Sequence, residues 1–508
     1  MKNNKLNQVA IISLIIVGVL AVWAVALNES FTTFSNAAFA FLTTDFAWLY
    51  LLAVVVFVGF CLIIALGKWG NIKLGPDDAV PEYSNTSWFA MLFGAGMGVG
   101  LVFWGVSEPL SHFLNPAEGI ESMTEEAADF AMKSSFMHWG IEPWACYAII
   151  GLGLAYFQFR KNKPGLLSSV LEPLVGEKLT KGWFGKLVDI LAVFATVAGV
   201  VTSIGLGVLQ VSGGLNHLFG IPKTMVIQIA IIIGFAVVYI WTAVSGVEKG
   251  IKMLGDINLF IAVSMMIVFF VLGPRLEMLN SFTNGLGAYL NDFMKDSFRI
   301  HTYGDNSWYG SWRVFYWAWF IAWAPFVGIF IARISKGRTI REFIIGVMVA
   351  PALASFVWFA IFGTLGISLG MNGTFTREVL EGVVSTPEVG LFVVLEQYPL
   401  GKILSVIMLV LLCTFFITSA NTGVFTLSML TSDGDLNPPN NKKIMWGIIQ
   451  SVMAIGLLMA GGLKPLQTIS LVAAFPFIFI MLMCMVSFVK ALGSEKKDTE
   501  SIKKLEDK

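Results

Sequence analysis

Apolar runs of about 20 residues, the length that crosses roughly 30 Å of hydrocarbon, recur from one end of this chain to the other. Twelve begin near Val9, Trp48, Trp88, Ala131, Leu187, Met225, Asn258, Trp312, Phe343, Ile403, Trp446 and Thr468. Hydrocarbon offers no water to backbone N–H and C=O groups, so such a chain must bond its backbone internally, as helices. Only 13% of its residues are charged, against about 25% in soluble domains. The expected class is an all-α polytopic membrane protein with 12 transmembrane helices.

Cations mark alternate connections: Lys2 and Lys5; Lys68 and Lys73; Arg160, Lys161 and Lys163; Lys249 and Lys252; Arg333, Lys336, Arg338 and Arg341; Lys442 and Lys443. Residues 28–46 and 114–130 carry no Lys or Arg. The positive-inside rule then places both termini in the cytoplasm. Ala24-Val25-Ala26 looks like a signal-peptidase site, but the first run exceeds the usual signal core and reads as a retained helix. A formal net charge of +0 gives no reason to expect nucleic acid as a partner. Cys61, Cys146, Cys413 and Cys484 lie apart inside spans, as packing residues do. His112, His138, His217 and His301 are dispersed, and no G-x₄-G-K-[ST] loop occurs, so neither an enzyme nor an ATP-driven pump is expected. No cofactor is expected either.

The third run contains Gly94-Ala95-Gly96-Met97-Gly98-Val99-Gly100. Glycine costs a helix roughly 1 kcal/mol relative to alanine, so this span should unwind there. The eighth carries Ala324-Pro325-Phe326-Val327-Gly328, a second expected break. Each opens a unit of five spans, and an odd offset inverts the second unit in the membrane. Paired broken helices in inverted halves point to a transporter's midplane site. The chain divides into 1–70 (two helices outside the core), 85–282 (first five-helix repeat), 283–311 (interfacial helix and loop), 312–490 (second repeat) and 491–508 (tail).

Trp139, Trp144 and Tyr147 should share one helical face of the fourth span. Tyr316, Phe320 and Trp323 form an i, i+4, i+7 stripe in the eighth. Surface belts account for most tryptophans of a membrane protein, but these run towards a helix break. Their faces suit a quaternary ammonium by cation–π attraction, and freed N–H groups near Ala95, Gly96, Met97 and Gly98 suit a carboxylate. Phe415, Thr418, Ser419 and Thr422 share a face of the tenth span. Such hydroxyls either bond their own helix or make a neutral oxygen site for Na⁺. The fifth span offers Thr196. His138 and Glu142 lie one turn apart and could relay a proton, though packing is the commoner role for such a histidine; Glu108 is expected to satisfy loose backbone.

Gly96-Met97-Gly98-Val99-Gly100, Phe103-Trp104-Gly105-Val106-Ser107-Glu108-Pro109, His138-Trp139 with Pro143-Trp144 and Tyr147, and Tyr316-Trp317-Ala318-Trp319 running to Ala332–Phe343 resemble the betaine/choline/carnitine transporter family, most closely its glycine-betaine type. The resemblance implies a leucine-transporter-type core of two inverted five-helix repeats and a homotrimer in the bacterial plasma membrane. It implies an aromatic box of Trp139, Trp144, Tyr147 and Phe320, with Trp323 and Trp319 along the solute path. It also implies a Na⁺ site at Gly94, Met97, Phe415, Thr418 and Ser419. Phe320 stands where the family's box has tryptophan. Val200 stands where a second Na⁺ site, beside Thr196 and Phe326, has threonine, so that site should be weakened. Gly100 replaces the acid of choline carriers, which fits a zwitterion. The expected activity is Na⁺ symport of a compatible solute, glycine betaine first, for osmoprotection. The alternative is proton-coupled or exchange transport of choline, carnitine, ectoine or proline.

Overall fold

A computed structural model describes the backbone of residues 6–96, 98–245 and 248–506, and all side chains there except those of residues 93, 95, 96, 248–252 and 496–506. Among these residues, 11 helices are long and apolar enough to cross a membrane. They are Gln8–Ala26, Ala47–Leu66, Glu125–Arg160, Trp183–Phe219, Met225–Ser245, Met253–Leu272, Ser307–Ile334, Ile340–Met371, Gly401–Leu430, Asn440–Met459 and Leu463–Glu495. The remaining expected span, third in order, is two half-helices, Asn85–Gly96 and Val99–Leu114, too short singly to qualify. The glycine run separates them.

Two connections carry helices of their own. Residues 28–46, read as a connection without Lys or Arg, contain the helix Asn28–Asp45. The interfacial helix expected before the eighth span is Arg275–Ser297, and it is tied down. Lys133 Nζ reaches Asp292 at 2.8 Å and Asp296 at 2.9 Å. That hydrogen bond from Lys133 holds the Asp292 carboxyl below the usual carboxylate range.

Neighbour relations follow the inverted repeat. The second half of the third span packs on the ninth, and the fourth packs on the eighth. Moving each partner by five spans exchanges these two pairs. The fifth packs on the tenth, a pair that maps onto itself. The fifth also packs on the twelfth, and the seventh on the tenth, again an exchanged pair. A two-fold axis lying in the membrane plane produces this pattern.

The basic loop before the ninth span holds the entry to the third. Leu74 N donates to the Arg338 carbonyl at 2.8 Å and Ile340 N to that of Ile72 at 2.9 Å. The Arg338 guanidinium lies 3.9 Å from the Trp88 ring centroid and bonds Asn85 Oδ1 at 2.8 Å. Gly337 sits at φ 82° with the Val80 carbonyl 2.2 Å from where a Cβ would lie, so only glycine closes this turn. These cations therefore do more than set topology.

Candidate solute site

Two helix breaks were expected; one of them occurs, and another forms where none was expected. The third span breaks between Gly96 and Val99, as expected. The eighth does not: Phe315–Ile334 is continuous with Pro325 inside it, and the expected break there is corrected. Proline removes one N–H and crowds one carbonyl, a defect that buried helix neighbours can absorb. The fourth span breaks instead, between Glu125–His138 and Ile141–Ala155. Pro143 would clash with the carbonyl of residue 139 in a continuous helix, and Gly140 precedes it at φ −82°, ψ −148°. Trp139 therefore sits at a break, and does not share a helical face with Trp144 and Tyr147 as their spacing suggested.

The expected aromatic residues nonetheless form a connected row. Tyr147 and Phe320 have ring centroids 6.0 Å apart, and Phe320 and Trp139 5.6 Å at 83°. Trp319 meets Phe320 at 5.6 Å and Trp139 at 6.2 Å, then Trp323 at 6.2 Å. Trp144 touches the row only through Tyr147, at 5.4 Å. Glycines make room for it. A Cβ on Gly100 would lie 2.5 Å from Trp319 and 3.3 Å from Trp139, and one on Gly199 would lie 2.3 Å from Trp323. Trp323 Nε1 donates to the Gly199 carbonyl at 2.7 Å. The Nε1 donor of Trp319 is buried with no acceptor among the described residues. Close ring packing is thus a structural reason for glycine at position 100.

The hydroxyl side is less complete. Met97 lies outside the described residues, and of Ala95 and Gly96 only the helical backbone is described. Gly94 belongs to the first half-helix. Gly98 caps the second, and Ser419 Oγ is 3.7 Å from its hypothetical Cβ. Thr418 Oγ1 bonds the Phe415 carbonyl at 3.0 Å, and Thr422 Oγ1 the Thr418 carbonyl at 2.8 Å. Thr196 Oγ1 bonds the Ala192 carbonyl at 2.8 Å. These three hydroxyls donate to their own helices, and Thr418 Oγ1 also accepts from Asn258 Nδ2 at 3.5 Å. Ser419 Oγ makes no such bond among the described residues and faces a cavity of about 10 Å³, lined also by Val200, Ser203, Trp323 and Phe326. That is room for about one water. Ser203, which lines the wall beside Val200, carried no sequence signal.

Glu108 was expected to satisfy loose backbone; its partners are side chains. Its Oε2 accepts from Trp139 Nε1 at 2.9 Å and Tyr316 Oη at 2.5 Å. Its Oε1 lies 2.7 Å from His138 Nδ1. The His138–Glu142 relay does not form, because the helix break parts them. Glu142 Oε2 accepts from Tyr289 Oη at 2.7 Å, and Tyr289 Oη accepts from Ile141 N at 3.2 Å. Tyr289, from the interfacial helix, thus plugs the break in the fourth span. The Glu108–His112 spacing of one turn was legible; the approach of His138 was not. Asp189 accepts from Ser168 N at 3.1 Å and Ser168 Oγ at 2.7 Å.

A multi-pass bundle with a broken span beside a buried aromatic row is the architecture of a solute transporter. The family model for betaine/carnitine/choline transporters matches residues 8–497, and the chain belongs to that family. It is 46% identical over 504 residues to the glycine betaine transporter OpuD of Bacillus subtilis, covering 99% of this chain and 97% of that one. It is 44% identical to a probable glycine betaine transporter of Desulfitobacterium hafniense, over 97% of this chain and 99% of the relative. It is 42% identical to an ectoine/hydroxyectoine transporter of Virgibacillus pantothenticus, over 98% of each. The chain is a membrane transporter, not an enzyme.

Proposed function

We propose that this chain imports glycine betaine or a closely related zwitterion by Na⁺ symport. The observation that carries the reading is the row Tyr147–Phe320–Trp139–Trp319–Trp323 lying against Gly100, at the start of a half-helix. Ring faces attract a quaternary ammonium most when desolvated. The N-terminus of Val99–Leu114 favours a carboxylate, and the unpaired Trp319 N–H is a further donor for it. The C-terminal end of Asn85–Gly96 presents carbonyls, the half-helix end that takes Na⁺ in broken-helix transporters. Ser419 beside Gly98, with Thr418, Phe415, Gly94 and Met97, would complete that shell. Thr196 and Phe326 remain as a weakened second site, because Val200 cannot ligate a cation. The alternation of cations among loops supports cytoplasmic termini, and the family resemblance supports a homotrimer in the plasma membrane.

A second reading, proton-coupled or exchange transport, draws on the buried Glu108–His138 contact and on the ectoine/hydroxyectoine relative. Proteoliposome uptake with defined Na⁺ and pH gradients separates the two. Competition by glycine betaine, choline, carnitine, ectoine and proline then ranks the solutes. Accumulation of glycine betaine in Na⁺-free buffer, abolished by a proton ionophore, would overturn the Na⁺ reading.

A further inference from the structure

Beside Trp139, in the middle of the aromatic row, stand three ionisable side chains that the proposed solute site does not use. Glu108 and His112 lie one turn apart on Val99–Leu114, and His138 ends Glu125–His138. All three are 0% exposed. One ligand atom from each lies within 4.8 Å of the other two. Glu108 Oε1 is 2.7 Å from His138 Nδ1 and 3.5 Å from His112 Nε2. Both ring nitrogens of His112, and Nε2 of His138, lack a hydrogen-bond partner among the described residues. Buried polar atoms are paired as a rule, and His112 Nε2, facing Glu108 Oε1 at 3.5 Å, is short of a ligand that Glu108 and His138 could share.

We propose that Glu108, His112 and His138 bind a divalent transition-metal ion, best matched by Zn²⁺. Two imidazoles and a carboxylate are a donor set that zinc accepts with a fourth position left to water. Ligand atoms on a tetrahedral zinc lie roughly 3.3 Å apart, close to the 3.5 Å separation at His112 and a small opening from the 2.7 Å at His138. Neutral His138 can carry its one proton on Nε2, which frees Nδ1 for the ion; neutral His112 can carry its own on Nδ1. The outer support is in place as well. Trp139 Nε1 and Tyr316 Oη both donate to Glu108 Oε2, leaving Oε1 as the ligand atom, the kind of partner that tunes metal sites. A surface cavity of about 620 Å³ is lined by Asp305, by Glu118 paired with Arg299 at 3.1 Å, and by His301, Trp308 and Trp312. The two tryptophan rings lie 5.0 and 4.5 Å from that of His112. Occupancy fixes Glu108 and, through it, Trp139, so the ion bears on the aromatic row.

The test uses the full chain, purified without a polyhistidine tag and stripped by chelator, then titrated with Zn²⁺ against a chromogenic chelator. One saturable equivalent per chain is expected. His112→Ala and His138→Ala should each weaken it about 100-fold or more, and Tyr316→Phe, which removes one outer partner, by roughly 10–100-fold. His301→Ala, on the cavity wall, should leave it unchanged. Co²⁺ added to the unaltered protein should give the visible d–d bands of a four-coordinate nitrogen–oxygen site, a readout that needs no variant to fold. The proposal fails if the unaltered protein binds no equivalent, or if the equivalent survives loss of His112 and His138. Loss of binding in His301→Ala would move the site to the cavity and also overturn it.

Discussion

The third and eighth spans occupy matching places in the two repeats, and each carries a helix-breaking signal; only one of them breaks. The third becomes two half-helices, Asn85–Gly96 and Val99–Leu114. The eighth keeps its helix through Pro325 and lays its aromatic side chains along it instead. Glycine withdraws both side-chain packing and conformational restriction from a whole stretch. A single proline removes one hydrogen bond, and surrounding helices can hold the rest in line. The two spans thus contribute differently: half-helix ends from the third, and from the eighth a continuous aromatic face that meets Trp139 and Tyr147 of the fourth.

That division predicts the largest loss on the ring side. Trp323→Leu removes a desolvated ring face, about 2 kcal/mol, and its hydrogen bond to Gly199, about 1 kcal/mol. The sum is roughly a 100-fold loss of glycine betaine affinity, read as loss of tryptophan quenching on titration in a protein that still elutes as a single species. Unaltered quenching would remove Trp323 from the site. On the backbone side, Gly100→Asp tests whether glycine there reports solute charge or packing. With Trp319 at 2.5 Å from the Cβ position, overpacking costs about 1–3 kcal/mol, so betaine uptake should fall about tenfold. Choline uptake should not appear. Choline uptake gained in that variant would show that the pocket, not the ring stack, dictates position 100. Ser419→Ala should raise the Na⁺ concentration for half-maximal uptake roughly tenfold, since a hydrogen-bonding group lost from a charge costs about 1.5–3 kcal/mol. An unchanged Na⁺ dependence would take Ser419 out of the cation shell.

The fold was legible because its cause is linear: run length sets a span, and glycine spacing sets a break. The row of rings was legible as membership, since Tyr147, Phe320, Trp139, Trp319 and Trp323 do meet. Its geometry was not, because Trp139 reaches Phe320 from a helix break that Pro143 and Gly140 create, and helical-face arithmetic assumes no break. Glu108 shows the same limit. One turn of helix joins it to His112, but its contacts with His138 and Tyr316 arise between spans distant in sequence. Ser203 gave no pattern, and Tyr289 only that of an interfacial helix; tertiary packing alone brings one to the cavity by Ser419 and the other to Glu142.

The smallest expected effect is the sharpest for the comparison. Pro325→Ala restores an N–H to a helix that is already continuous and buried. The regained hydrogen bond, about 1 kcal/mol, is offset by the lost ring methylenes at about 0.8 kcal/mol each. Stability and betaine affinity should therefore stay within about a factor of three of the parent, by thermal unfolding and by fluorescence titration. Turnover in proteoliposomes should follow affinity. Intact binding with turnover reduced about tenfold or more would mean that the eighth span opens at Pro325 during the cycle. The two repeats would then both break, at different moments, and the asymmetry described here would belong to one conformation of the transporter.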